Sequence, residues 1–94
     1  MEKIILNNIE YELIENKKEA YDVEIIKKLY TSYFEGYDYI LGDRAYGKIR
    51  LKGFCLKNNK NFNEINDFSK FDEYLKNYCA KDCGYFLLKK TIQN

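Results

Sequence analysis

The sequence contains no histidine, no tryptophan and no proline, and it has only five glycines and three cysteines. Without histidine, a general base near neutral pH would have to be a strongly perturbed carboxylate, lysine or cysteine, which argues against an enzyme. A structural zinc site requires four ligands, usually closely spaced Cys or Cys/His pairs, and this composition does not supply them. The glycines are too dispersed to form a phosphate-cradling loop. We therefore predict no catalytic residue, no metal site and no cofactor.

Long apolar runs are also missing. The run at residues 4–6 stops at Asn7 and Asn8, far short of a secretory signal or of the ~20 residues that cross a membrane. An odd number of cysteines in a chain without export features favours reduced thiols over a disulfide framework. We expect a cytoplasmic protein with no membrane partner.

What the sequence does contain is typical of one globular domain spanning residues 1–94. It is 46% hydrophobic and 33% charged, and 17% of its residues are aromatic, with ten Tyr and six Phe. Large rings bury much area per residue, so a chain of this size can form a core without staples. Most of the rings are expected in that core.

The charge is unevenly distributed along the chain. The net charge is only +1, but residues 44–60 carry six Lys or Arg and no acidic residue. The preceding residues 1–43 contain ten acidic residues and five Lys. The basic segment indicates a local positive field that an acidic partner would recognise.

Hydrophobic periodicity and turn residues predict the elements. Residues 4–6 and 9–13 form a hairpin around Asn7 and Asn8, which tolerate the left-handed conformation of a two-residue turn. A first helix begins after the capping residue Asp22 and ends at Gly36. Strands at residues 37–41 and 46–54 follow, joined by a turn at 42–45.

The C-terminal part begins with an Asn-rich loop at residues 57–67. Ser69 and Asp72 resemble a capping box that opens a second helix. The run 85–88 is apolar on both faces, as in the middle strand of a sheet. The chain is therefore predicted to be α+β, with a mostly antiparallel sheet of about five strands and two amphipathic helices in the order β-β-α-β-β-α-β. Without its first strand this order is ferredoxin-like, but a less regular sheet fits equally well.

The fourth predicted strand has the most informative pattern. Tyr46, Lys48, Arg50, Lys52 and Phe54 share one face, and Ile49, Leu51 and Gly53 share the other. Cations bind phosphates and exposed rings stack on unpaired bases, so this face is suited to single-stranded RNA. The alternatives are a solvated strand face on which lysines prevent edge pairing, and a protein interface anchored by Tyr and Arg.

Two other constellations are weaker. Cys79 and Cys83 could form a redox pair or contribute to a metal site, but Cys79 also continues the apolar stripe of the second helix. Asp38 and Asp43 beside Arg44 could carry acid–base or Mg²⁺ chemistry, but an Asp next to an Arg is often a structural pair.

Two stretches of the sequence resemble motifs of the YutD-like family. The central one comprises Tyr37-Asp38-Tyr39-Ile40, Gly42-Asp43, Tyr46-Gly47 and Arg50-Leu51-Lys52-Gly53-Phe54. The C-terminal one comprises Tyr74-Leu75, Tyr78-Cys79, Cys83, Tyr85-Phe86 and Leu88-Lys89-Lys90. The resemblance implies a small bacterial protein with an α+β fold, and it supplies no catalytic residues.

We therefore expect a non-enzymatic binding protein whose surface is the basic face of the fourth strand with the adjoining turn. Its predicted binding residues are Asp43, Arg44, Tyr46, Lys48, Arg50, Lys52, Phe54 and Lys89. RNA or a ribonucleoprotein is the favoured partner, and a protein partner on the same face is the alternative. A small enzyme or a cysteine-based redox or metal protein is less favoured.

Overall fold

The computed structural model describes residues 2–45, 47–78 and 83–91, without the side chains of Ala45 and Tyr78. The strands are β1 (Lys3–Leu6), β2 (Ile9–Lys17), β3 (Tyr39–Ala45), β4 (Lys48–Phe54) and β5 (Tyr85–Lys90). The helices are α1 (Val23–Leu29) and α2 (Phe71–Tyr78), with 3₁₀ helices at Ser32–Gly36 and Phe68–Lys70. The predicted α+β class and element order are confirmed.

The strands form one sheet in the order β1-β2-β5-β3-β4. Every neighbouring pair in it is antiparallel, and β5 lies between β2 and β3, the two strands that flank α1, whereas a ferredoxin-like sheet would have β4 in that place. The less regular alternative is therefore the correct one. Strand β5 lies in the middle, as its apolar run predicts, and β1 and β4 are the edges.

The first hairpin is the predicted one. Asn7 and Asn8 have φ values of 51° and 66° and make the turn between β1 and β2. Both central residues of this tight turn need positive φ, which Asn accepts more readily than most residues.

Helix α1 begins as predicted but ends earlier. The Asp22 side chain accepts hydrogen bonds from the Glu24 and Ile25 amides at 3.1 and 3.3 Å. The helix stops at Leu29 because Tyr30 is extended, with its hydroxyl 2.8 Å from that of buried Tyr11. The rest of the predicted helix is replaced by the 3₁₀ helix at Ser32–Gly36, and Gly36 ends that helix without a positive φ.

The turn between β3 and β4 was predicted wrongly at residues 42–45, which belong to β3. The strands reverse next to Gly47, whose φ is +77°. Gly42 has another role: the ring of Phe86, its partner on β5, occupies the space where a Cβ would lie. A contact distant in sequence, not a turn, therefore accounts for this glycine.

The start of α2 also differs from the prediction. Asp67, not Ser69, is the capping residue, and its carboxylate accepts hydrogen bonds from the Ser69 amide at 2.9 Å and hydroxyl at 2.8 Å. Residues Phe68–Lys70 form the 3₁₀ turn that leads into the helix.

The two faces of the sheet support separate cores. On the α1 side, buried Tyr11, Ile26, Ile40, Phe86 and Leu88 form the larger cluster. On the α2 side, Leu41, Phe54, Phe71 and Leu87 form the smaller one. Strand β4 is therefore an edge of the sheet, with the α1-side core on one face and the α2-side core on the other.

Candidate binding surface along the fourth strand

The predicted alternation along β4 is present. Lys48, Arg50 and Lys52 lie on the α2 side, and we call them the basic face. Ile49 and Leu51 pack against the α1-side core. Since the two sets alternate along one strand, the cations are held in a row while the apolar side chains anchor β4 to the sheet.

Phe54 is not available for stacking. It is 1% exposed and packs edge-to-face on Phe71 and Tyr74, with ring centroids 5.8 and 5.5 Å apart. The expectation of an exposed ring at Phe54 is therefore wrong, because α2 covers this end of the strand. Tyr46, the ring predicted at the other end, lies outside the described residues.

Arg50 forms an ion pair with Asp43. Its Nη2 lies 2.7 Å from Asp43 Oδ2, and the two residues are Cα partners on β4 and β3. The carboxylate side chain is 3% exposed and the guanidinium side chain 51%. Asp43 is thus a structural partner of Arg50, and part of the positive charge of the basic face is neutralised.

Asp38 has separate structural partners. Its Oδ2 accepts hydrogen bonds from the Leu56 amide at 2.8 Å and the Asn59 side-chain amide at 3.1 Å. Asn59 also donates to the Gly36 carbonyl, so these bonds fasten the Asn-rich loop to the end of the 3₁₀ helix. The two carboxylates do not share a site.

Lys52 lies over two aromatic rings. Its Nζ is 5.1 Å from the Phe54 ring centroid and 5.5 Å from that of Tyr74. Such contacts are electrostatically favourable and hold the long side chain against the sheet. The ammonium group therefore lies beside α2.

Two predicted residues lie away from the basic face. Arg44 is the Cα partner of Ile49 and, like Ile49, lies on the α1 side of the sheet. Lys89 lies on the α2 side but on β5, where it pairs with Glu12 and Tyr39. Lys89 would extend the basic face only if β5 lay beside β4, but strand β3 separates the two.

A groove that the sequence did not reveal runs along the outer edge of β4. It has a volume of about 440 Å³ and we call it the edge groove. Its floor includes Leu51 and Gly53, and its walls include Tyr33 and Tyr37 on one side and Ile65 and Tyr74 on the other. A second cleft of about 540 Å³ adjoins it at Lys52, Ile65 and Tyr74 and continues along α2 past Lys70, Glu64 and Glu73.

The edge groove exposes apolar side chains. Ile65 is 80% exposed and Tyr33 is 67% exposed. The Tyr37 hydroxyl donates a hydrogen bond to that of Tyr33 at 2.9 Å, which orients the exposed ring. The one sequence signal for this surface was an isolated isoleucine in a polar, Asn-rich loop.

The cysteines do not form the predicted set of reduced thiols. Cys83 is disulfide-bonded, while Cys55 is a free, buried thiol whose pKa is raised by burial. Cys79 lies outside the described residues. In the part of the chain that the structure describes, no group of three or more Cys, Asp or Glu side chains is placed to hold a metal ion. Within the same ranges, no helix is long and apolar enough to cross a membrane.

Comparisons with known proteins agree with one another. Residues 5–89 match the family model described as "Putative antitoxin YutD-like". The protein "Putative antitoxin YutD" of Bacillus subtilis (strain 168) is 40% identical over 87 residues, which cover 93% of this chain and 96% of that protein. The solution NMR structure of the B. subtilis protein is similar, with a TM-score of 0.82 and 38% identity over 99% of this chain and 84% of that one.

Proposed function

The chain belongs to the YutD-like family, and from this premise we propose that it is a protein-binding module of the antitoxin kind, which holds a partner protein through the edge groove and the basic face of β4. The family description names an antitoxin. We infer that the chain neutralises its partner by binding it, with no chemical step of its own.

The exposed pair of Tyr33 and Ile65 is the observation that carries this proposal. Tyrosine is enriched at the centres of protein interfaces, and an exposed apolar side chain beside a concave groove is typical of an anchor point. Both side chains line the edge groove, next to Arg50 and Lys52. An apolar centre with a charged border is the usual anatomy of a protein interface.

RNA is the less favoured partner for this surface. Phe54 is buried and Arg50 is paired with Asp43, so two residues of the expected RNA platform are engaged within the protein. The exposed Ile65 contributes nothing to phosphate binding. The electrostatics still allow an acidic partner, which is why RNA binding is kept as an outcome of the test.

The test is site-specific photocrosslinking in the organism that encodes the chain. A photoreactive phenylalanine analogue replaces Tyr33 or Ile65, and the matched control replaces Ile5, which is 64% exposed on the opposite edge strand. We expect a discrete protein crosslink from the two groove positions that survives RNase treatment and is absent from the Ile5 position. Crosslinks that RNase removes, or equal crosslinking from all three positions, would overturn the proposal.

Neutralisation is tested with the crosslinked partner once it is identified. Expression of that partner alone should inhibit growth, and co-expression of the chain should restore it. The Ile65→Asp variant should fail to restore growth, while Ile5→Asp should restore it. In a separate titration, micromolar binding of labelled single-stranded RNA that weakens steeply with salt would favour the RNA alternative instead.

A further inference from the structure

The backbone of β3 shows which side each residue presents to its neighbours. Arg44, an even-numbered residue of β3, donates its amide N–H to the carbonyl of Gly84, the residue before β5, at 2.9 Å. Even-numbered residues of β3 therefore direct their backbone groups toward β5. Because successive residues of an antiparallel strand point their N–H and C=O groups to opposite sides, the odd-numbered residues face β4.

The same alternation continues onto β4. Leu41 and Asp43 face β4, and their Cα partners there are Lys52 and Arg50. The backbone groups of Lys52 and Arg50 are thus used in pairing with β3. The outward groups of the edge belong to Ile49, Leu51 and Gly53. Among the described residues, no side-chain or loop hydrogen bond engages the outward groups of Ile49 or Leu51.

Two of the three outward-facing residues lie in the edge groove. Leu51 and Gly53 line its floor, and the walls rise from both faces of the sheet. We propose that the edge groove receives an extended segment of the partner protein, which adds to β4 as a sixth strand. The inference rests on the proposed function and specifies its recognition mode: main-chain hydrogen bonds supply affinity, and alternate side chains supply specificity.

The two faces of the sheet determine the chemistry of the added strand. Its residues opposite Arg50 and Lys52 would lie on the α2 side beside the cations, where Asp or Glu is favoured. Its residues opposite Leu51 would lie on the α1 side near Tyr33, where an apolar side chain is favoured. The occupant is therefore a segment in which acidic and apolar residues alternate.

A second copy of this chain is a poorer occupant. An antiparallel pairing of two β4 strands centred on Leu51 would place Lys52 opposite Arg50 of the second copy. Like charges directly opposite each other destabilise a strand pair. Lysines on an edge strand are also a common device against self-association. An acidic segment would not be repelled by Arg50 and Lys52, and the same two cations would select it.

The test uses amide hydrogen exchange by NMR on the intact chain. The probe is a capped peptide of about seven residues, the length of β4, with alternating Glu and Val. In the free protein, the Arg50 and Lys52 amides should exchange slowly and the Ile49 and Leu51 amides quickly. Saturating peptide should slow exchange at Ile49 and Leu51 at least about tenfold, with no change at Ile5 on the opposite edge.

Two control peptides separate strand addition from side-chain attraction. A peptide with Lys in place of Glu should bind roughly ten times more weakly or worse. A Glu–Val peptide N-methylated at alternate residues along one edge should lose binding, because it keeps the charges but cannot donate the backbone hydrogen bonds. The matched protein variants are Lys52→Glu, which should weaken binding, and Lys3→Glu on β1, which should not.

Three results would overturn the inference. The first is an unchanged exchange rate at Ile49 and Leu51 with millimolar peptide. The second is equal binding of the N-methylated peptide. The third is protection of these amides at high protein concentration without peptide, which would indicate self-pairing. If one of these three results is obtained but crosslinks from Tyr33 and Ile65 are still observed, the protein-binding function stands and only strand addition is rejected. If those crosslinks are absent as well, both the protein-binding function and strand addition are rejected.

Discussion

The guanidinium of Arg50 lies 2.7 Å from the carboxylate of Asp43, its partner across the β3–β4 pairing, and Asp43 is buried. Replacing Arg50 by Ala would leave a desolvated carboxylate without its ion pair. We expect Arg50→Ala to lower the free energy of unfolding by about 2 kcal/mol, less than for a fully buried pair because Arg50 is half exposed. Urea unfolding monitored by circular dichroism would measure it.

Lys48 provides the matched control for this prediction. It is an exposed cation on the same strand, so Lys48→Ala should change stability by no more than about 0.5 kcal/mol. The double variant Asp43→Asn, Arg50→Ala should recover part of the loss, since no buried charge remains. Equal effects of Arg50→Ala and Lys48→Ala would contradict the structural role of the pair. Binding studies should therefore use Lys52 or Ile65 variants, because Arg50 variants combine stability with recognition.

Gly42 is predicted to be the glycine least tolerant of substitution. A Cβ at this position would overlap the ring of Phe86, which is fully buried between the strands and α1. We expect Gly42→Ala to cost about 3 kcal/mol in the free energy of unfolding through overpacking. Gly47→Ala, with open space around the Cβ but a φ of +77°, should cost only about 1 kcal/mol. If the two variants unfold at the same denaturant concentration, the packing explanation is wrong.

The misplaced β3–β4 turn shows where sequence reasoning reaches its limit. Local patterns correctly predicted the first hairpin, the Asp22 cap, the strand order along the chain and the alternation on β4. Gly42 and Asp43 have the composition of a turn, but their roles are set by Phe86 and Arg50, which they meet only in the folded sheet. No local pattern contains that information.

The candidate site was predictable to a similar degree. The spacing of Lys48, Arg50 and Lys52 indicated that they share a face. It could not indicate that α2 packs on that same face and buries Phe54, because the docking of a helix depends on tertiary contacts. The edge groove depends on pairing order, which leaves β4 unpaired on one side, and on a loop that brings Ile65 to that edge.

Two tyrosines with buried hydroxyl groups should respond differently to the loss of those groups. The Tyr11 hydroxyl lies 2.8 Å from that of Tyr30, whereas the buried Tyr21 hydroxyl has no hydrogen-bond partner among the described residues. Tyr11→Phe should lower stability by about 1–2 kcal/mol, because Tyr30 loses its partner. Tyr21→Phe should be neutral or slightly stabilising, since it removes a polar group that is desolvated without compensation. Thermal unfolding of both variants against the wild type would decide, and a large loss from Tyr21→Phe would count against the described geometry.

Alkaline pH should destabilise the fold through its tyrosines. The hydrogen bond to Glu15 raises the pKa of Tyr85 to about 12, and the hydrogen bond to Tyr33 raises the pKa of Tyr37 to about 12. Burial raises the pKa of Tyr11 as well. Below about pH 10 both folded and unfolded states keep these protons, so the stabilising contribution is fully present.

As the pH rises from about 10 to about 12, the unfolded chain ionises first and the free energy of unfolding should fall. The measurement is urea unfolding at several pH values in this window. Tyr85→Phe should reduce the slope, because it removes one of the groups with a raised pKa. A stability that stays constant across the window, or a slope unaffected by Tyr85→Phe, would show that these tyrosines ionise as easily in the folded state as in the unfolded one.

Ile65 should separate binding from stability most cleanly. Its side chain is 80% exposed, so Ile65→Asp removes almost no buried area and should change the free energy of unfolding by less than about 0.5 kcal/mol. The surrounding loop does not depend on this side chain, because the Asn63 and Asn66 side chains and backbone amides hold it together through mutual hydrogen bonds. If the edge groove binds the partner, the same variant should lose at least about 2 kcal/mol of binding, since an apolar anchor is replaced by a charge. Ile5→Asp on the opposite edge should leave binding unchanged, and equal affinities of the two folded variants would mean that the partner docks elsewhere.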